Sequence, residues 1–162
     1  MKEFLILKTS CGTIKIELLS DIAPNHVQRI KELAQEGAYN GVVFHRVIDG
    51  FMAQTGDVKY GNKLSGSYKP GMAGAGGSDK PNLKAEFSTT PHRRGTASMA
   101  RSADQNSANS QFFICFEDAP WLDKQYSVWG QVVEGMENVD KIKRGEPVSD
   151  PDIIEIATIE AE

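Results

Sequence analysis

Cysteine is almost missing from this chain. Cys11 and Cys115 lie far apart, and neither has a second cysteine within three residues. A Cys-x-x-Cys zinc or dithiol centre is therefore excluded, as is a disulfide framework. Cys115 falls within Phe112-Phe113-Ile114-Cys115-Phe116 and reads as a small buried hydrophobe. Long apolar runs are missing too. No segment approaches the roughly 18 apolar residues of a spanning helix. Phe4-Leu5-Ile6-Leu7 is too short for the core of a signal peptide and ends at Lys8. The expectation is a cytoplasmic protein with no membrane partner. A large excess of charge is also lacking: 18 basic against 22 acidic residues give a net charge of −4. The densest basic spot, His92-Arg93-Arg94, is short and reads as a solvated loop. A mildly acidic surface repels phosphate backbones, so no nucleic-acid partner is expected.

Two catalytic signatures are incomplete. Gly74-Ala75-Gly76-Gly77 suggests a phosphate cradle, but Asp79 holds the place of the third glycine in G-x-G-x-x-G, and no Lys-Ser/Thr pair follows. Ser98, Ser110, His45 and Asp57 supply the residue types of a hydrolase, yet G-x-S-x-G is absent and no triad spacing is recognisable.

What is present describes an ordinary soluble domain. Hydrophobic residues make up 40% and charged residues 25%, and 162 residues suit one domain with one core, here residues 1–162. Fifteen glycines and seven prolines imply many turns. Phe4 to Lys8 and Thr13 to Leu18 read as strands around a turn at Ser10-Cys11-Gly12; Ile14, Ile16 and Leu18 alternate with Lys15 and Glu17. Pro24 opens a helix that Gly37 closes. Val27, Ile30, Leu33 and Ala34 make its apolar face, and Arg29, Lys31, Glu32 and Glu36 are expected to face water. Further strands are expected at 42–48, 52–55, 96–100, 111–116, 127–133 and 153–159, with a short second helix at 136–144. Repeated short strands with only two helices argue for an antiparallel barrel or sandwich. The glycine-rich stretch from Val58 to Asn82 is long enough to be functional or mobile.

The most informative segment runs from Phe44 to Asp57. Asp49-Gly50 signals a hairpin. A strict two-residue loop would set Arg46 opposite Ala53; a three-residue loop, Asp49-Gly50-Phe51, would set Ile48 opposite Met52 and Arg46 opposite Gln54. In the second register one face carries Phe44, Arg46, Ile48, Met52 and Gln54, an unusual setting for an arginine, whose stem could equally lie on a surface. Paired phenylalanines such as Phe112-Phe113, and Trp129, read by themselves as core.

Taken together, Phe44-His45-Arg46, Gly50-Phe51-Met52-Ala53-Gln54, Gly56-Asp57, Ser98-Met99-Ala100, Ser110-Gln111-Phe112-Phe113-Ile114 and Trp121-Leu122 resemble the cyclophilin family in order and spacing, over nearly the whole chain. The likeness is to single-domain bacterial members. It implies a mainly β fold, a closed eight-stranded antiparallel β-barrel capped by two α-helices, with an open groove on its outer face. It implies peptidyl-prolyl cis–trans isomerase activity that assists protein folding, with proline-containing polypeptides as clients, cyclosporin as an inhibitor, a monomeric state, and no cofactor or metal.

By position, the resemblance makes Arg46 the catalytic arginine, with Gln54 orienting it. Phe51, Met52, Phe113 and Leu122 would line the proline pocket. Ala100, Arg101, Gln111, Trp121 and Tyr126 would complete the substrate groove, Trp121 matching the tryptophan associated with cyclosporin. Arg101 stands where animal members carry Asn, and Tyr126 where they carry His. The polar loop 102–109 differs as well.

Overall fold

The structure is a computed structural model and describes residues 2–162. Eight strands make one antiparallel sheet: β1 (Glu3–Thr9), β2 (Gly12–Leu18), β3 (Arg46–Ile48), β4 (Met52–Thr55), β5 (Thr96–Met99), β6 (Phe112–Cys115), β7 (Val128–Glu134) and β8 (Ile154–Ala161). Their order is β3-β4-β6-β5-β7-β2-β1-β8. The sheet curls around a core of Leu5, Leu7, Ile14, Ile16, Phe112, Ile114 and Trp129. Phe112 meets Tyr39 and Trp129 edge-on, at 5.6 and 5.2 Å.

The barrel expected from the family resemblance is not closed. The sheet is an open, curled half-barrel whose edges lie 14 Å apart. β3 forms a ladder only with β4, and β8 only with β1. The strand expected over 42–48 shrinks to Arg46–Ile48, because the segment before β8 takes the hydrogen bonds that closure would need. Val47 exchanges both backbone bonds with Gly145 at 2.8 Å, and Phe44 N–H donates to Asp152 O at 2.9 Å. On the side away from β1, β8 hydrogen-bonds only with the segment that precedes β3, where Ile154 N–H donates to Val42 O at 2.8 Å and Gly41 N–H donates to Ile154 O at 2.6 Å.

Helix α1 (Pro24–Gln35) buries Val27, Ile30, Leu33 and Ala34 against the sheet. Its N-terminus has no local cap. Instead the Glu86 carboxylate accepts from His26 N–H at 2.9 Å and Asn25 N–H at 3.3 Å, satisfying donors a helix leaves open. Gly37, at φ +77°, ends the helix with Ala38 N–H bonded to Leu33 O and Gly37 N–H to Ala34 O. One side chain breaks the expected pattern. Arg29 is buried rather than solvated, because its guanidinium reaches Asn109 O at 3.1 Å and Pro81 O at 2.6 Å. Charge-assisted bonds to two loop carbonyls outweigh its exposure to water.

Helix α2 spans only Met136–Val139. The chain must leave it early to bring Gly145 beside Val47. Gly135 opens it at φ +86°, where a Cβ would fall 2.1 Å from Thr13 O.

The loop from Val58 to Asn82 has one 3-10 turn, Pro70–Met72, and a buried carboxylate gathers its two halves. Asp57 Oδ1 accepts from Lys59 and Tyr60 N–H at 3.0 and 2.9 Å; Oδ2 accepts from Gly74 and Gly76 N–H at 2.8 and 2.9 Å. The amides that a phosphate would need are thus already occupied. Asp57→Asn turns an NH2 toward one pair of these donors. It should lower stability by roughly 2–3 kcal/mol, the scale of a lost charged hydrogen bond. Urea unfolding measures the cost, and hydrogen exchange should quicken first at the amides of Gly74 and Gly76.

Candidate active site

Strand alternation sends Val47, Ala53, Phe112 and Ile114 into the main core. Their neighbours point the other way. Met52, Phe113, Cys115, Ala119 and Leu122 form a second apolar cluster, with Ile48, Phe51, Ala100 and Tyr126 packed against it. Of the two hairpin registers the sequence allows, the structure takes the three-residue loop, since Ile48 pairs with Met52 and Arg46 with Gln54 rather than with Ala53. The register continues across β6 and β5, so one row of side chains crosses four strands: Arg46, Gln54, Phe113 and Ser98. Phe44 does not share this face. It precedes the short β3 and lies in the main core beside Val47.

A cavity of about 230 Å³ opens over the second cluster. Arg46, Phe51, Met52, Gln54, Ala100, Arg101, Phe113, Leu122 and Tyr126 line it. Of the other two residues the sequence singles out, Gln111 lines an adjoining cavity of about 220 Å³. Trp121 stands on the rim, 63% exposed, its ring 5.6 Å from that of Phe51. The two cavities share Gln54, Ala100 and Arg101 as a common wall. Arg101 is fixed there: Nε and Nη2 donate to Gln125 O at 3.1 and 2.7 Å, Nη1 donates to Ser102 O at 2.9 Å, and Cζ sits 4.6 Å over the Tyr126 ring.

Arg46 begins a chain of polar side chains. Its Nε donates to Glu146 Oε2 at 2.5 Å and its Nη1 to Gln54 Oε1 at 3.3 Å. Gln54 Nε2 donates to Gln111 Oε1 at 3.0 Å, and Gln111 Nε2 donates to Gly74 O and Gly76 O, both at 2.8 Å. The loop anchored by Asp57 therefore braces the amides behind Arg46. Guanidinium hydrogens on Nη2 have no protein partner among the described residues.

Three site features were not read from the sequence. Glu146 is 100 residues from Arg46, and no local signal marks it. The carbonyls of Gly74 and Gly76 act through the backbone. The third is a buried histidine chain. His92 Nε2 lies 3.0 Å from Ser98 Oγ, Nδ1 lies 3.0 Å from Asp123 Oδ1, and the ring stacks on Phe113 at 6.2 Å. Its residue types are those of a hydrolase triad. Ser98, however, is fully buried beneath the apolar cluster and cannot meet a substrate, so the chain positions Phe113 from behind. The four residues considered from sequence make no such set: Ser110 Oγ donates to Gly56 O at 2.7 Å, and Asp57 holds backbone amides.

His45 is buried with both ring nitrogens unpartnered. Burial pushes its pKa down to about 4. Burial also lowers His92 and His26, against the opposing pull of Asp123 and Glu86.

The family model described as cyclophilin type peptidyl-prolyl cis-trans isomerase/CLD matches residues 4–161. A probable peptidyl-prolyl cis-trans isomerase of Brucella suis is 57% identical over 163 residues, covering 98% of this chain and 83% of the relative. A peptidyl-prolyl cis-trans isomerase of Helicobacter pylori is 41% identical over 147 residues, covering 88% of this chain and 82% of its own length. The crystal structure of a Cryptosporidium parvum cyclophilin type peptidyl-prolyl cis-trans isomerase, solved in the presence of the dipeptide Ala-Pro, superposes with a TM-score of 0.83 at 26% identity, over 98% of this chain and 99% of that one.

The histidines give a pH signature. A folded-state pKa below the ordinary histidine value means that the unfolded chain binds more protons at low pH. Stability should hold above about pH 7 and decline as pH falls from about 6.5 toward 4. At about 1.4 kcal/mol per pKa unit, His45 accounts for roughly 3 kcal/mol of this loss. Urea unfolding against pH should be flatter in His45→Gln. By contrast, kcat/KM should stay level between about pH 6 and 9: histidine is the ordinary group that titrates near there, but the three histidines are buried, lie outside the cavity lining and have their pKa values pushed down. A step in turnover near the histidine pKa, abolished in His45→Gln, would make His45 part of the chemistry.

Proposed function

The chain belongs to the cyclophilin-type peptidyl-prolyl cis–trans isomerases and accelerates rotation about X–Pro bonds; within that activity, we propose that Arg46 stabilises the twisted amide while the Phe113 cavity holds the proline ring. The observation that carries this reading is a guanidinium with unpartnered hydrogens at the edge of a cavity floored by an apolar cluster.

Unaided rotation faces a barrier of about 18–20 kcal/mol, from lost amide resonance. No covalent bond breaks, so the enzyme need only bind the twisted amide better than either planar isomer. As the amide twists, the proline nitrogen pyramidalises and gains a lone pair. Arginine is a fixed, charged donor that can meet it. Met52, Phe113 and Leu122 anchor the ring on one side of the bond, and the adjoining cavity takes the segment on the other. Rotation is then confined to the bond between two held parts.

Clients are proline-containing polypeptides in the course of folding. Our reading adds that the protein works as a monomer in the cytoplasm, consistent with two free cysteines, whose thiols burial pushes up to about 11 for Cys11 and about 12 for Cys115. It adds cyclosporin as a competitor in the same groove. The support is Trp121, exposed beside Phe51 with an indole N–H available as a donor.

Arg46→Ala should lower kcat/KM for a proline tetrapeptide tenfold to a thousandfold, or about 1.4–4 kcal/mol. The fold should persist, since the side chain is 41% exposed. Arg46→Lys should recover little, because a point charge replaces a planar fork. Near wild-type turnover in folded Arg46→Ala would refute the assignment. For cyclosporin, titration followed by tryptophan fluorescence should show saturable binding, weakened in Trp121→Phe, with Trp129 as constant background. Equal affinity in that variant would remove Trp121 from the drug site.

A further inference from the structure

We propose that Glu146 is a positioning residue for isomerisation, holding the Arg46 guanidinium so that its free edge faces the amide; this rests on the reading of Arg46 given above. The contact is built in by the backbone. Val47 and Gly145 exchange two hydrogen bonds at 2.8 Å, and Val148 N–H donates to His45 O at 3.2 Å. The residues on both sides of Arg46 are thereby tied to the loop that carries Glu146. Oε2 then accepts from Nε at 2.5 Å.

Glu146 is outside the cavity lining and its side chain is 57% exposed. It therefore acts through Arg46 rather than on the substrate. Its value to the fold is small, because exposed ion pairs contribute little to stability. Its value to orientation is larger. Without it, the guanidinium keeps one side-chain bond, the 3.3 Å contact to Gln54, and is free to swing toward water. With Nε bound to Glu146 and one Nη1 hydrogen to Gln54, two edges of the fork are committed. The Nη2 edge is left for the substrate. Among the described residues no other carboxylate forms an ion pair with Arg46.

The test compares Glu146→Ala and Glu146→Gln with the wild type by kcat and KM on a proline peptide. Glu146→Ala should lower kcat about three- to tenfold with KM changed by less than about twofold, the pattern of a group acting only in the transition state. Glu146→Gln keeps an oxygen acceptor for Nε–H and should recover most of that loss. In parallel, the Arg46 Nε–H proton resonance should exchange slowly in the wild type and Glu146→Gln, and quickly in Glu146→Ala. In an Arg46→Ala background, Glu146→Ala should have no further effect. Wild-type kcat in Glu146→Ala, beside an inactive Arg46→Ala, would overturn the role of Glu146 alone. A raised kcat would also overturn it, as would a Glu146→Gln no better than Glu146→Ala. High turnover in Arg46→Ala would instead remove the reading on which this rests.

Discussion

The register of the β3–β4–β6 ladder is the constraint on which the site depends. Side chains alternate across a sheet with a period of two, so one row is committed to one face. Here the row Arg46, Gln54, Phe113 points away from the main core. A slip of one residue at the Asp49-Gly50-Phe51 loop would bury the arginine and expose Val47 and Ala53, which are almost wholly buried. Packing of the main core therefore holds the guanidinium beside the cavity over the second cluster, although it touches neither.

Two supports act on this row from outside the sheet. Behind the apolar end, His92 stacks on Phe113 and is itself fixed by Ser98 and Asp123. Behind the polar end, Gln111 ties Gln54 to the carbonyls of Gly74 and Gly76, whose amides are gathered by Asp57. Under the proposed mechanism, rotation asks for this rigidity: the barrier falls only if the proposed donor and ring pocket keep their separation while the amide turns between them.

The open edge of the sheet has a use. A closed ladder between β3 and β8 would have filled the hydrogen-bonding positions of Val47 with a strand. The half-barrel gives them to Gly145, and so brings a loop carboxylate against Arg46. The cost of leaving edges unpaired is contained, since isolated bridges at Val43–Ile153 and Val47–Gly145 occupy part of them.

The sequence by itself determined the local elements and the composition of the cleft. Alternation in β2, the helix bounded by Pro24 and Gly37, and the hairpin at Asp49-Gly50 were legible because each rests on residues near in sequence, whereas the hairpin's register, Arg46 against Gln54 rather than Ala53, was decided by the fold. Family motifs marked the residues that line the cavity, because the chemistry restricts their types. Tertiary structure alone decided the open edge, the early end of α2, the burial of Arg29 and the partners Glu146 and His92. In each case a polar group or strand edge had its demand met by an atom distant along the chain: Pro81 O and Asn109 O for Arg29, Gly145 for Val47, Glu146 for Arg46. Periodicity reports which side of an element is apolar, but a hydrogen bond depends on where the chain returns, and that is fixed only once the sheet has curled.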